Sequence, residues 1–426
     1  MFSFIIVLIF NKLVHNSKYT IIGKFDMQTK DFIDLEEKHG AHNYNPLDVV
    51  IERGKGVWVF DVEGNKYLDC LAAYSAVNQG HCHPRIINAL KTQAERITLT
   101  SRAFRNDQLP FLLKELSDLT GYEMALPMNS GAEAVETALK AARKWGHKIK
   151  GIDAQSGDII ACDNNFAGRT ITTISFSTEE QYKDGFGPFT PGFKVIPYGN
   201  ADALEKIIDK NTIAFLVEPI QGEGGVVVPP SGYLQKCYDI CKRNNVLFIA
   251  DEIQTGLGRT GKLFAHQYDN IKPDMVIIGK ALSGGCYPVS AVLSSKEILG
   301  VFNPGDHGST FGGNPLAAAV ARESLKVLIE EKLIENSRDL GEYLLDKLLK
   351  IKSKHIKEVR GRGLFIGIEL FPEAKGARRF CKALMKRGIL CKETHDNVIR
   401  IAPPLVITKA EVDDALLIIK DVLLMD

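Results

Sequence analysis

Net charge is nearly absent from this chain: 53 Lys and Arg stand against 52 Asp and Glu, leaving +1 over 426 residues. A chain built to hold nucleic acid or a membrane surface by bulk electrostatics carries a large excess of one sign, so both readings are disfavoured. Long apolar runs are lacking as well. Phe2 to Phe10 is almost wholly apolar, but it is too short to cross a bilayer as a helix. It also has no basic residues ahead of it and no clear small-x-small cleavage pattern. Paired cysteine motifs are missing: none of the eight cysteines forms a C-x-x-C, which points to reduced thiols in a cytoplasmic protein. His81-Cys82-His83 lacks the second ligand cluster that a zinc site needs, so no metal is expected. No internal repeat or low-complexity tract occurs.

What is present is ordinary globular composition, 45% hydrophobic and 25% charged, in a chain long enough for two or three packed units. From about residue 130 to 320, short apolar runs alternate with helix-like segments. Asp158–Cys162, Ile213–Val217, Val246–Ala250 and Met275–Ile278 are near-continuous apolar strands, and Tyr233 to Asn244 has helical spacing. The alternation predicts an α/β layer whose mostly parallel sheet is covered by helices on both faces. Ligands then belong at the carboxyl ends of the strands. Beyond about residue 320, helices over Leu316–Glu331 and Leu340–Lys352 lead to strands at Leu364–Leu370 and Val398–Ile401, a smaller α+β domain. Val57 to Leu71, with Asp61-Val-Glu-Gly64 as its turn, reads as a small antiparallel sheet. Met27 precedes the first helical stretch, Asp31 to Lys38. Residues 1–26 are therefore expected to be a start-site extension, or alternatively a targeting leader. The remaining boundaries are 27–80 for an N-terminal segment of the small domain, 81–316 for the large domain and 317–426 for the C-terminal part of the small domain.

Two stretches bear on phosphate. Gly256 to Lys262 has the G-x-x-x-x-G-K spacing of a nucleotide-binding loop. However, Leu263 stands where a magnesium-binding hydroxyl belongs, and no helix-forming run follows directly. Asn129-Ser-Gly-Ala-Glu133 opens a helical segment with capping-box spacing from Ser130 to Glu133. The free N–H groups at such an end attract anions, although an ordinary capped helix would look the same.

Two charged groups close apolar strands: Asp251 after Val246–Ala250, and Lys280 two residues after Ile278. A lysine at the end of a buried run is costly unless neutralised, paired or used covalently. Covalent attachment to an aldehyde cofactor such as pyridoxal 5′-phosphate removes that cost. An acid on a neighbouring strand would keep the cofactor's ring nitrogen protonated and make the ring an electron sink.

Leu247-Phe-Ile-Ala-Asp-Glu-Ile-Gln-Thr-Gly-Leu-Gly-Arg-Thr-Gly261 with Ile278-Gly-Lys-Ala-Leu-Ser-Gly-Gly285 resembles the signature of the class III, fold-type I pyridoxal-phosphate aminotransferases. The resemblance runs from about Gly40 to the C-terminus. It implies Lys280 as the lysine bonded to the cofactor and as the group that moves the reacting proton. It implies Asp251 on the ring nitrogen, Gln254 on the phenolic oxygen, Phe166 stacked on the ring, and Gly131 and Ala132 around the phosphate. Ser309 and Thr310 would reach the phosphate of a second copy, so the resemblance implies a homodimer with shared active sites.

Within that family, His42-Asn-Tyr-Asn-Pro46, Ala73 to Pro84, Glu218-Pro-Ile-Gln-Gly-Glu223 and Ile399-Arg-Ile-Ala-Pro-Pro404 are most similar to the ornithine-using branch. That likeness implies Tyr44 and Arg169 at ornithine's distant α-amino-acid end and Tyr74 shaping the pocket. Arg400 would hold the carboxylate of 2-oxoglutarate or glutamate, because a planar guanidinium matches a carboxylate bidentately. Glu223 would cover Arg400 while ornithine is present. Ala167 departs from the larger aromatic frequent in relatives, a difference that bears on the pocket wall near Arg169 and on substrate preference. Acetylornithine and 4-aminobutyrate aminotransferases share the cofactor machinery and are the nearest alternatives; a P-loop nucleotide-binding protein is the alternative from another class.

Overall fold

The computed structural model describes residues 27–426, and the expected extension or leader lies outside them. The chain divides into two compact units, Met1–Arg53 with Phe60–Asn65, and Gly54–Val59 with Lys66–Asp426.

The first unit contains the helix Thr29–His39, opened by a reciprocal cap between Gln28 and Asp31. Its expected turn at residues 61–64 is present. The Asp61 carboxylate accepts from the N–H groups of Glu63 and Asn65 at 3.1 and 2.8 Å, and Gly64 takes φ +85°, a conformation that favours glycine.

The second unit is built around a seven-stranded sheet in the order Met124–Met128, Ser290–Ser294, Met275–Ile278, Leu247–Asp251, Thr212–Val217, Asp158–Cys162, Phe193–Ile196. Ser290–Ser294 is antiparallel to both neighbours, and the other neighbouring pairs are parallel. The apolar runs are continuous because both faces are covered, and alternation along each strand selects the face. Leu247 and Ile249 join the cluster under the helix Gly131–Lys148. Phe248 and Ala250 join the opposite cluster under Tyr233–Arg243. Tyr233–Arg243 and Met275–Ile278 fall where periodicity places them. The expected helix Leu340–Lys352 begins earlier, at Leu333.

A second, four-stranded antiparallel sheet has the order Ile356–Arg362, Phe365–Leu370, Val398–Ile401, Lys392–Thr394. Arg400 lies opposite Gly367 in it. Lys66–Asp69 pairs in parallel with Ile389–Leu390 from the far end of the chain, a partner too short and too distant in sequence for periodicity to reveal.

The glycine-rich turn after Asp251 is a joint between these parts. Arg259 is fully buried and donates to the carbonyls of Leu364 and Pro403 at 2.8 and 2.7 Å and to Asn78 Oδ1 at 2.5 Å. Gly261 takes φ +85°, and a Cβ there would stand 2.9 Å from the Arg338 backbone. Lys262 donates to the Gln267 carbonyl at 3.1 Å. The cations that would serve a phosphate in a nucleotide loop are thus spent on carbonyl groups of the protein.

Candidate active site

Five strands deliver the site. Met124–Met128, Asp158–Cys162, Thr212–Val217, Leu247–Asp251 and Met275–Ile278 end on the same edge of the sheet. Just past those ends come Gly131, Phe166, Glu218, Asp251 itself and Lys280. They surround one cavity of about 190 Å³, together with Ala132 and Gln254. Ligands gather at this edge of open α/β sheets because the loops there are free to diverge.

The helix start at Gly131 has the local chemistry the sequence promised. Ser130 Oγ accepts from the Glu133 N–H at 3.2 Å, and Glu133 Oε2 accepts from the Ser130 N–H at 2.7 Å. The first-turn N–H groups of a helix have no intrahelical acceptor, and Gly131 and Ala132 line the cavity. A Cβ on Gly131 would stand 3.1 Å from the Ile253 side chain, and one on Gly168 would stand 2.8 Å from Ala132 Cβ. Small residues here keep the end of the cavity open. This cradle suits a phosphate group.

Asp251 is 6% exposed and accepts from the Ile253 N–H at 3.0 Å. Burial pushes its carboxyl up to about 6, against the pull of that hydrogen bond and of Lys280, with Glu252 adding repulsion. A carboxylate in this position invites a buried cationic partner such as a protonated ring nitrogen. Burial holds the Lys280 amine below its ordinary value; Glu223, Asp251 and Glu218 oppose that shift, while Arg400 reinforces it. The amine is therefore easier to deprotonate than a surface lysine. Glu252, next to Asp251, has no comparable part: it accepts from the N–H groups of Ala265 and His266 and from the His266 ring at 2.8–3.0 Å.

These shifts make a stability prediction. The folded-state value for Asp251 lies above the ordinary value, so the folded state binds the extra proton and stability falls as pH rises from about 4 to about 6. Asp251→Asn is therefore expected to stabilise the cofactor-free protein by about 3 kcal/mol at pH 7.5. The gain should vanish near pH 4, as read by denaturant unfolding at both pH values. Equal stability of variant and parent at pH 7.5 would contradict the assigned burial cost.

A second group lies on the small sheet. Arg400 is 1% exposed, and its Nη1 donates to Glu223 Oε1 at 2.6 Å. Its Nε and Nη2 have no hydrogen-bond partner. The guanidinium carbon stands 5.0 Å from the Tyr74 ring centroid. Burial works against ionisation of Glu223, but Arg400 and Lys280 outweigh it and hold the carboxyl below its ordinary value. Gln254 Nε2 donates to Glu223 Oε1 and to the Tyr74 carbonyl, each at 3.3 Å. Tyr74 lies in a run, Ala72 to Ser75, with φ from +46° to +73°. Left-handed L-residues cost about 1 kcal/mol each. The Asp69 carboxylate fixes the entry to this run by accepting from the N–H groups of Leu71 and Ala72 at 2.8 and 2.9 Å.

Six expected cofactor residues, Gly131, Ala132, Phe166, Asp251, Gln254 and Lys280, line the one cavity. Arg169 is exposed, with its guanidinium 3.6 Å from the Tyr182 ring centroid and 5.6 Å from that of Phe166. Ser309 accepts from Asn129 Nδ2 at 2.8 Å within its own chain, and Thr310 is exposed. Tyr44 belongs to the first unit and is 74% exposed. His81 bonds Asp69 at 2.7 Å, and His83 pairs with Glu331 at 3.2 Å.

Sequence reasoning missed Arg360 and Glu218. Arg360 donates to the Gly225 carbonyl at 2.8 Å and to that of Val226 at 3.1 Å, pressing the Glu223 loop onto the small sheet. Gly367 permits this approach, since a Cβ there would stand 3.0 Å from the Gly225 oxygen. Glu218 follows a fully buried apolar strand, the same signal that singled out Asp251.

A family model, aminotransferase class-III, matches residues 39–423. The chain belongs to the class-III aminotransferases. As a member of that family this aminotransferase uses pyridoxal 5′-phosphate, which the cavity suits in the cradle at one end and the acid and amine at the other. It is 60% identical over 395 residues to an ornithine aminotransferase of Geobacillus sp. (strain WCH70), covering 93% of this chain and 98% of the relative. An ornithine aminotransferase structure from Toxoplasma gondii, described with partial occupancy of the cofactor at its active site, superposes with TM-score 0.92. It is 48% identical and covers 93% of this chain and 94% of that one. An acetylornithine aminotransferase structure from Elizabethkingia anophelis superposes with TM-score 0.86 at 50% identity, covering 94% and 100% of the two chains.

Proposed function

We propose that this aminotransferase transfers the δ-amino group of L-ornithine to 2-oxoglutarate. The products are L-glutamate and glutamate 5-semialdehyde, which cyclises to pyrroline-5-carboxylate. The observation that carries the proposal is the Arg400–Glu223 pair: a buried guanidinium with one nitrogen on an acid and two without partners. A dicarboxylate brings a carboxyl group to such a fork. The δ-amino end of ornithine does not, and the acid then keeps the cation covered. One pocket can in this way accept two unlike substrates.

Pyridoxal 5′-phosphate supplies, when bound, an electron sink for charge at the reacting substrate carbon. Gly131 and Ala132 would hold its phosphate, Phe166 its ring face, Gln254 its phenolic oxygen and Asp251 its ring nitrogen. Lys280 Nζ would take the proton from the substrate carbon and return it one step later. Tyr74 would shape the ornithine pocket, and Tyr44 and Arg169 would receive the far end of that substrate. Ser309 and Thr310 of the partner subunit would complete the phosphate cradle in a homodimer. Eight free cysteines suit a reducing cytoplasm. Among the described residues no helix is long and apolar enough to cross a membrane.

Incubation with L-ornithine and 2-oxoglutarate is expected to yield pyrroline-5-carboxylate, trapped as its o-aminobenzaldehyde adduct. N-acetylornithine and 4-aminobutyrate are the comparison donors. Faster turnover of either one would replace the ornithine assignment.

A further inference from the structure

Glu218, at the cavity, ties the Phe166 loop to the Glu223 loop with its two carboxylate oxygens. Its Oε1 accepts from the Phe166 N–H at 3.0 Å, and its Oε2 accepts from the Gly222 N–H at 3.1 Å. The first bond fixes the loop that carries the expected ring-stacking side chain. The second fixes the base of the loop that carries Glu223. The loops also meet directly, since Gln221 Nε2 donates to the Asp163 carbonyl at 2.6 Å. A paired bridge between Gln221 and Val227 closes the second loop, and Arg360 clamps its far side. Glu218 itself is held from behind, because Tyr198 Oη donates to the Glu218 and Pro219 carbonyls at 3.1 Å.

We propose that Glu218 is a positioning residue for substrate selection, locking the Phe166 loop to the Glu223 loop so that Glu223 stays on Arg400 until a dicarboxylate arrives. This rests on the two-substrate reading of the Arg400–Glu223 pair. Both carboxylate oxygens are needed, one for each loop. Burial and the nearby Asp251 push the Glu218 carboxyl up to about 8, while the two N–H groups and Lys280 favour ionisation. The two N–H groups and Lys280 oppose that rise without cancelling it, and the tie between the loops rests on the placing of one oxygen at each N–H.

Glu218→Gln keeps the shape but offers only one acceptor oxygen, so one loop loses its bond. The test uses the holoenzyme, with single-turnover absorbance changes followed separately for ornithine and for glutamate. Hydrogen exchange is measured in parallel on peptides covering residues 163–170 and 221–227. The variant is expected to lower the ratio of ornithine rate to glutamate rate about tenfold, because a loosened Glu223 uncovers Arg400. Exchange should speed severalfold in at least one of the two segments. Glu218→Asp, which is too short to reach both N–H groups, should give the same pattern if the glutamine variant folds poorly. Equal loss of both half-reactions, or unchanged exchange in both segments, overturns the proposal. A parent enzyme without an ornithine half-reaction instead removes the donor assignment, and the exchange measurement then decides the loop coupling alone.

Discussion

Lys280→Ala is expected to lower turnover by about 10⁴-fold, the upper range for a positioned acid–base group, while pyridoxal 5′-phosphate still binds. Among the described residues, Lys280 is the only lysine lining the cavity. Its surroundings, burial against Glu223, Asp251 and Glu218, keep it reactive without stripping it of charge partners. The phosphate cradle at Gly131 and the acid at Asp251 are untouched by the substitution, so cofactor affinity should persist, measured by equilibrium dialysis. A small primary amine added to the variant should restore part of the rate, because it can occupy the space left by the side chain. Turnover within about tenfold of the parent would remove Lys280 from the proton transfer and with it the assignment of the site.

Arg400→Ala is expected to reduce kcat/KM for glutamate by about 10²- to 10³-fold, the range for removing one partner of a buried, hydrogen-bonded charge pair. Ornithine should change by less than about tenfold, since its reacting end carries no carboxylate. The substitution also leaves Glu223 without the cation that holds its carboxyl below the ordinary range. The variant's ornithine reaction should therefore gain a pH dependence, as Glu223 takes up a proton at a higher pH than in the parent. Arg400→Lys keeps the charge and loses the fork, and an intermediate loss for glutamate is expected. Equal losses for both substrates would show that Arg400 supports the fold rather than choosing the substrate.

Asp251 and Lys280 were readable from the chain because each breaks a local rule. A charged group at the end of a buried apolar run is unfavourable unless something answers it, and that conflict can be seen in sequence. The cap at Ser130 and Glu133 was readable for a similar reason, since both partners lie within one helical turn. Glu218 gave the same strand-end signal as Asp251, but its partners, Phe166 and Gly222, belong to two loops that only the fold brings together. Arg360 and Gly367 gave no local signal, because they act on carbonyl groups more than 130 residues away in the chain.

By itself, the sequence determined the parallel core strands, the helix that opens the phosphate cradle, and the identities of the acid and the lysine that face it. All of these follow from interactions within a few residues, or from burial on both faces of a strand. Only the tertiary structure decided that five strand ends share one edge, and that Arg259 turns a nucleotide-like loop into a joint. It also decided that Glu223 reaches Arg400 with two guanidinium nitrogens left over. Those outcomes depend on contacts between segments far apart in the chain, whose meeting is fixed by packing and not by any neighbouring residue.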